Sequence, residues 1–535
     1  MMKKKASLRA KNNIKNLLLP LLGFSIATGV FSALLVSLFQ WGADKVVALS
    51  GRIYQGAREN PSHLLYLVLG AMGIGLLASV LLHFSQVCRG GGIPTSIAAI
   101  RGMNHFKWLS SILVLPFSAM LTYLVGLPLG TEGPGVQMGT AVGDGVAHVI
   151  GGKKRMGWRR YAMTGGASAG FSLVTGAPLT AVLFAMEELH KRFSPLLFSM
   201  ASLTVAVSQI TAGILQYFGL ANSRLFHIET LPSLPVKMFY LPLLLGLVCG
   251  ILSIVFTKFY LLINHFVRVN LKKVPLTVKF PLIFGITALL GFYLSDGLGS
   301  GHGLIEALFS PTYIWYFLVL VFLVRALILM LSNTSGVTGG IFLPTLAFGA
   351  ILGSLFARAA MALHLMGEEY YILLVTLGMT AFLGANSRIP LTACVFSMEV
   401  LSNNINILPV AISVVAAFLV VELSGLHDFT DTVIKAQTNA IYGDRKPQAI
   451  EVPIRIYKDS FAVGKSLDDI LWPVSTVVLS IDKKTHKKYK KGLSEGDTLT
   501  VYYKTYNPSE TAEEFEAIVG DQPVEVDRIM RPIEL

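Results

Sequence analysis

The chain has 535 residues, 53% hydrophobic and only 14% charged, with a mean hydropathy of +0.62 and a net charge of +13. Apolar stretches this long and numerous exceed one soluble core, which excludes a water-soluble globular protein and places the chain in a bilayer. The basic excess does not point to nucleic acid, because it clusters beside the apolar segments, as membrane topology requires.

In chain order, Lys3, Lys4, Lys5, Arg9, Lys11 and Lys15 precede a first apolar run, Leu17 to Leu38. The positive-inside rule puts this end in the cytoplasm, and the run is read as a retained span because it exceeds a signal-peptide core and no small-residue cleavage site follows. Trp108 to Leu129, Phe193 to Leu220, Met238 to Ile263 and Tyr313 to Leu331 reach or approach the ~20 residues a spanning helix needs. Val136 to Ile150 and Ile341 to Phe356 are shorter and interrupted by glycine or proline. Broken helices survive in lipid only around a protein-enclosed cavity, so a substrate is expected there. Lys153, Lys154, Arg155, Arg159 and Arg160 fill one loop, again cytoplasmic.

The expected organisation is a basic amino terminus (1–14), a first membrane half (15–222), a linker (223–235), a second membrane half (236–440), a hinge (441–450), a soluble domain (451–520) and a terminal tail (521–535). In the soluble part, Val452 to Ile456, Val477 to Ile481 and Thr498 to Tyr503 predict strands, and Leu467 to Leu471 a short helix.

The membrane halves repeat each other. The segment Ala177 to Leu189 returns as Ile389 to Leu401, with Pro, Leu, Thr, Ala, Phe, Met, Glu and Leu in matching places. Carboxylates are costly in lipid unless they face the interior or a water path. Glu187 matches Glu399, whereas Glu188 matches Val400; the shared acid suits architecture and the unshared one a directional task. Gly130 to Pro134 and Gly340 to Pro344 share a G-x-x-x-P frame, and Gly90 to Pro94 has the same glycine-then-proline character. Each predicts a helix start, whose free amides and dipole attract an anion by ~0.3–2 kcal/mol per helix. Several converging starts would hold an anion without a positive side chain.

These stretches resemble, in order, the G-S-G-I-P, G-K/R-E-G-P and G-x-F-x-P signatures of the CLC family of chloride channels and chloride/proton antiporters, across most of residues 15 to 440. The resemblance implies an all-α polytopic membrane protein of two inverted repeats with broken and half-length helices, paired as a homodimer in the cell membrane with both termini cytoplasmic. It implies an anion site at Gly91, Gly92, Ile93, Gly133, Ile341, Phe342 and Thr430, with Glu132 as external gate and proton acceptor and Glu188 as internal proton relay. The plainer reading of Glu132 is a carboxylate satisfying its own helix start. For Glu188 it is an ion pair with Lys191 or Arg192. Three positions depart from the pattern: Gly91 replaces a serine, Thr131 a basic residue, and Thr430 a tyrosine for which Tyr442, three turns on, is a poor substitute. Chloride/proton antiport is therefore the expectation, with a passive chloride channel, or preference for fluoride or nitrate, as alternatives.

The tail is expected to be a small α+β cytoplasmic domain. It resembles the ligand-sensing carboxy-terminal domain of potassium-conductance regulators (TrkA-C/RCK-C type), which implies a small-molecule regulator. Scattered histidines (His83, His105, His148, His190, His302, His427) and the isolated Cys88, Cys249 and Cys394 lack metal or disulfide spacing, so no metal and no cofactor is expected. The Lys483 to Lys491 cluster reads as a solvated loop. With no phosphate loop and no nucleophile elbow, the chain is expected to be neither an enzyme nor an ATP-driven pump. A cation transporter would need carbonyls or several carboxylates at its site.

Overall fold

In lipid every backbone polar group must be satisfied internally, which turns the apolar runs into helices. The computed structural model describes residues 14–520 except 105, 152–155, 221–225, 227–230, 402–405, 444, 459, 475 and 483–491. Lys3, Lys4, Lys5, Arg9, Lys11, Lys153, Lys154, Arg155, His105 and the Lys483 to Lys491 cluster lie outside the described residues.

The first half contains α1 (Leu19–Glu59), α2 (Leu64–Phe84), α3 (Ile93–Ile100), α4 (Trp108–Leu124), α5 (Glu132–Val146), α6 (Arg159–Thr175), α7 (Pro178–Phe184) and α8 (Pro195–Tyr217). The second contains α9 (Tyr240–Asn270), α10 (Leu276–Tyr293), α11 (His302–Ala307), α12 (Trp315–Ser335), α13 (Phe342–Ala362), α14 (Tyr371–Asn386), α15 (Pro390–Phe396), α16 (Ile407–Leu423) and α17 (Phe429–Tyr442). One interval separates the starts of α2 and α10 (Leu64, Leu276), α6 and α14 (Arg159, Tyr371), α7 and α15 (Pro178, Pro390), and α8 and α16 (Pro195, Ile407). The duplication seen in thirteen residues thus extends over the helical framework. Among the described residues, seven helices are long and apolar enough to cross a membrane, while α3, α7, α11 and α15 are half-length or shorter. The expected run Trp108 to Leu129 stops as a helix at Leu124, because Gly126 takes a positive φ of 75° and the chain turns toward the next glycine stretch.

The most closely packed helix pairs are α5 with α6 and α13 with α14, and most residues of these four helices are buried. Their glycines set the spacing. A Cβ on Gly349 would stand 2.5 Å from the Gly378 carbonyl oxygen, and a Cβ on Gly353 2.5 Å from that of Leu374. Gly139 and Gly166 meet in the same way in the first half. Small residues one turn apart let helices touch backbone to backbone, where dispersion replaces the missing hydrophobic drive.

The tail is an antiparallel sheet of order β1-β3-β2, with β1 (Gln448–Arg455), β2 (Val477–Asp482) and β3 (Thr498–Thr505), covered by α18 (Pro508–Val519). Strand β1 begins earlier than its apolar alternation indicates, because Gln448 already pairs with Thr505. The helix expected at Leu467 to Leu471 is only a 3-10 turn, Leu467–Asp469. Phe515 of α18 packs on Tyr503 and Trp472, centroids 5.0 and 6.2 Å apart, closing a core separate from that of the membrane part.

The tail grips the start of α6. Glu514 receives Arg159 at 3.2 Å and also pairs with Arg160; the Tyr161 hydroxyl donates to the Asp469 carbonyl, and Arg192 donates to that of Ile470 at 3.0 Å. The Phe461 ring lies against Trp158 and Tyr161, centroids 5.4 and 5.8 Å away. Glu514→Ala removes one carboxylate shared by two arginines, a loss of roughly 1.5–3 kcal/mol. Tail undocking should then rise about ten-fold or more, read as faster tryptic cleavage after Arg445; unchanged cleavage would show that the grip lies elsewhere.

Candidate anion and proton site

Three glycine stretches are knitted into one knot. The amides of Gly130 and Gly340 each donate to the other's carbonyl, at 2.8 and 2.7 Å, forming one antiparallel bridge between the two halves. Gly90 donates to Gly336 at 3.2 Å and accepts from Gly339 at 3.3 Å. A Cβ on Gly133 would stand 2.5 Å from the Gly91 oxygen and 2.7 Å from Gly340 Cα. Gly92, at φ +66°, would drive a side chain into the Gly133 carbonyl. Only glycine permits this approach. The starts of α3, α5 and α13 therefore meet at one point, bringing Gly91, Gly92, Gly133, Ile341 and Phe342 together.

First-turn amides have no intrahelical acceptor, so Gly133 and Phe342 keep theirs for another partner. Among the described residues no carbonyl accepts from Gly91 or Gly92. Ile93 departs from expectation, since its amide donates to the Gly91 oxygen at 2.7 Å and is not free for an ion. Phe342 is braced edge-on by Phe171 and Phe396, centroids 5.0 and 5.6 Å away.

Glu132 opens α5 and is fully buried. Its Oε2 folds back over Gly130, and the carboxyl faces its own amide and that of Leu343 in the first turn of α13, though neither oxygen reaches full hydrogen-bond geometry. Tyr123 holds the bend by donating to the Gly130 carbonyl at 2.9 Å. An acidic side chain thus stands among helix starts of the kind that attract anions.

Glu187 and Glu399 exchange roles across the repeat. Glu187 accepts from the amides of Leu391 and Thr392 and the Thr392 hydroxyl at 3.0, 2.7 and 2.7 Å; Glu399 accepts from Leu179, Thr180 and the Thr180 hydroxyl at 2.8, 2.7 and 2.6 Å. Each carboxylate caps the half-helix of the other half. Glu187→Ala strips one cap and is expected to cost roughly 2–4 kcal/mol, seen as a lower melting temperature in detergent. No loss of stability would contradict the capping role.

Glu188, one residue on, is 2% exposed, and its Oε2 has no hydrogen-bond partner. The ion pair with Lys191 or Arg192 does not form. Lys191 is taken by Asp428 and by Asp431 at 2.7 Å, and Arg192 is turned to the tail. Burial opposes the charge on Lys191, but the two aspartates outweigh it and hold the ammonium above its ordinary pKa. Arg101 reaches Asp431 at 3.2 Å and also donates to the Glu188 carbonyl at 3.1 Å. The Thr430 hydroxyl faces the Glu188 carboxyl, so Thr430 sits beside the candidate relay. Tyr442 is remote: its ring stacks on Tyr506 of the tail, centroids 4.2 Å apart.

Sequence reasoning missed Tyr123, Arg101 and Asp428. Their only signal was polarity near apolar spans. Among the described residues there is no cluster of three or more metal-ligating side chains, and Cys88, Cys249 and Cys394 are free thiols.

Comparison with known proteins places this geometry. Residues 73–422 match the sequence profile described as voltage gated chloride channel. The H(+)/Cl(-) exchange transporter ClcA of Citrobacter koseri is 30% identical over 360 residues, covering 66% of this chain and 74% of that protein. Among solved structures, a slow cyanobacterial Cl-/H+ antiporter superposes with a TM-score of 0.71 at 22% identity, over 79% of this chain and 99% of that one. A CLC-type fluoride/proton antiporter superposes with a TM-score of 0.62 at 22% identity, over 75% and 95%.

Proposed function

This chain belongs to the voltage-gated chloride channel family, and from that premise we propose that it is a membrane anion/proton antiporter with chloride as the default anion. One observation carries the reading: the Gly130–Gly340 bridge joins the helix starts of both halves, and Glu132 lies across them. Glu132 is the external gate. Ionised, it carries the anion's charge and competes for the same amides; protonated, it loses that claim and leaves, so one side chain couples the two ions. Glu188 is the internal relay between the tail side and Glu132. Its burial without an ion pair supports antiport over a passive channel, since an unpaired intramembrane acid is costly unless it has a task. Gly91, Gly92, Gly133, Ile341 and Phe342 supply the anion's backbone amides.

Two copies pair as a homodimer. The reading is supported by α7 and α15, which leave Leu179 and Leu391 about half exposed at matching places of the two repeats, with Phe198 of α8 and Leu408 of α16 also half exposed, a patch of the kind an isologous contact uses. The membrane halves at 15–222 and 236–440, and a ligand-sensing unit at 451–520 taking a small-molecule regulator, complete the organisation. The tail's hold on the start of α6 and on Arg192, four residues after Glu188, supports a regulatory role. Arg159 and Arg160 on the tail side support cytoplasmic termini in the plasma membrane. Vesicle flux with simultaneous anion and pH recording, in chloride, fluoride and nitrate, tests the function: proton movement driven by an anion gradient is expected, and anion flux without it would overturn antiport.

A further inference from the structure

Three acids and two cations meet where the turn after α7, the start of α17 and the end of α3 come together. Asp428 is buried and caps α17: Oδ1 accepts from the Asp431 amide at 2.5 Å, and Oδ2 takes the Lys191 ammonium. A helix start and an ammonium are both partners of a charged carboxylate. Asp431 is bound by Lys191 at 2.7 Å and by Arg101 at 3.2 Å. The two cations are thereby spent on the two aspartates, and Arg101 gives its other donors to the carbonyls of Leu189 and Glu188, both at 3.1 Å. The Glu188 carboxyl faces Asp428, Lys191, Arg101 and the Thr430 hydroxyl. Its chain neighbours turn elsewhere: Glu187 caps α15, His190 meets the Thr164 hydroxyl of α6 at 2.8 Å, and Arg192 bonds the tail. An ionised Glu188 would add a third negative charge to a site with two positive ones. An ionised carboxylate also calls for donors on both oxygens, and Oε2 of Glu188 has none. Lys191 stands at φ 51°, a left-handed conformation costly for a lysine, and that turn brings its ammonium onto α17. Its side chain is 41% exposed and that of Asp428 2%, so water reaches the cation while the aspartate acts on Glu188 from the interior, where charges are poorly screened.

We propose that Asp428 is a positioning residue for proton uptake: its fixed negative charge, partly offset by Lys191, keeps the exchangeable proton of this cluster on Glu188. The proposal rests on the reading of Glu188 as the relay and adds what sets its hold on the proton. Removing the Asp428 charge lets Glu188 ionise more readily, and removing the Lys191 charge makes it ionise less readily.

The test uses the full-length protein in detergent and in vesicles. An infrared pH titration follows the Glu188 carboxyl, identified as the signal that Glu188→Gln removes, and chloride-driven proton uptake is recorded against pH on the tail side. In Asp428→Asn the capping oxygen stays and the charge goes, so both midpoints should fall by about one pH unit. In Lys191→Met the Asp428 charge is unopposed, and both midpoints should rise by about as much. A merely structural role would lower the melting temperature and move neither midpoint. If Asp428→Asn does not fold, Lys191→Met carries the test, because its side chain is the more exposed of the pair. An unmoved infrared midpoint in a folded variant, or shifts of the same sign in both, overturns the proposal. Infrared midpoints that move as expected in a protein that couples no protons would refute the relay reading and leave the assignment of Asp428 intact.

Discussion

Glu132→Gln is expected to keep anion flux running while proton movement driven by the anion gradient falls by roughly 10²-fold or more, since the acid at the knot can no longer carry a proton. Glutamine has the shape of a protonated glutamate and cannot present a negative charge to the amides of α5 and α13. The gate should therefore stand open to anions, with flux in the variant no longer depending on external pH. The geometry makes this separable from folding damage. Neither Glu132 oxygen closes a full hydrogen bond, so removing the charge breaks no contact on which the framework depends. The bridge between Gly130 and Gly340 and the Tyr123 bond to Gly130 remain. Anion-driven proton pumping that persists in Glu132→Gln vesicles would sink the gate assignment. Loss of both fluxes with an unchanged melting temperature would place Glu132 in the anion site as a donor-orienting group rather than a gate.

The framework was legible because its signals are local. A G-x-x-x-P frame specifies a helix start wherever it occurs, and Glu187 matching Glu399 exposed a symmetry that the structure realises as two reciprocal caps. Sequence could also say that Glu188 has no twin. It could not say that Lys191, the nearest candidate partner, would turn to Asp428 and Asp431, because that choice is made by α17, more than two hundred residues away. Ile93 fell for a similar reason: the frame marks its amide as free, but the backbone bends tightly enough for Gly91 to claim it. Asn333 belongs to no motif; that its amide oxygen accepts from Tyr260 and its nitrogen lies beside Gly91 is visible only in the structure. Helix starts and repeats are written in neighbouring residues, whereas donors without acceptors are properties of the packed interior.

Glu188→Gln gives the second large effect, with the opposite dissection. Proton transport is expected to fall by roughly 10²-fold, as for any essential transfer group, while chloride flux continues and the protein melts unchanged. Stability should hold because the carboxyl has no salt bridge to lose, and glutamine can still meet the Thr430 hydroxyl. Its neighbour provides the control. Glu187→Gln keeps an acceptor oxygen but loses the charge that strengthens three capping bonds, so it should lower the melting temperature and leave the proton-to-anion ratio intact. Two adjacent glutamates then report on two different properties, one on coupling and one on stability. A relay also needs water on its outer side, and the Arg101–Asp431–Lys191–Asp428 cluster next to Glu188 is partly exposed and polar enough to supply it. Lys191→Met should accordingly slow proton delivery less than Glu188→Gln does, because it disturbs the approach and not the carrier. Equal loss in both would move the proton-carrying role from the carboxyl to the cluster, and intact coupling in Glu188→Gln would end the relay proposal.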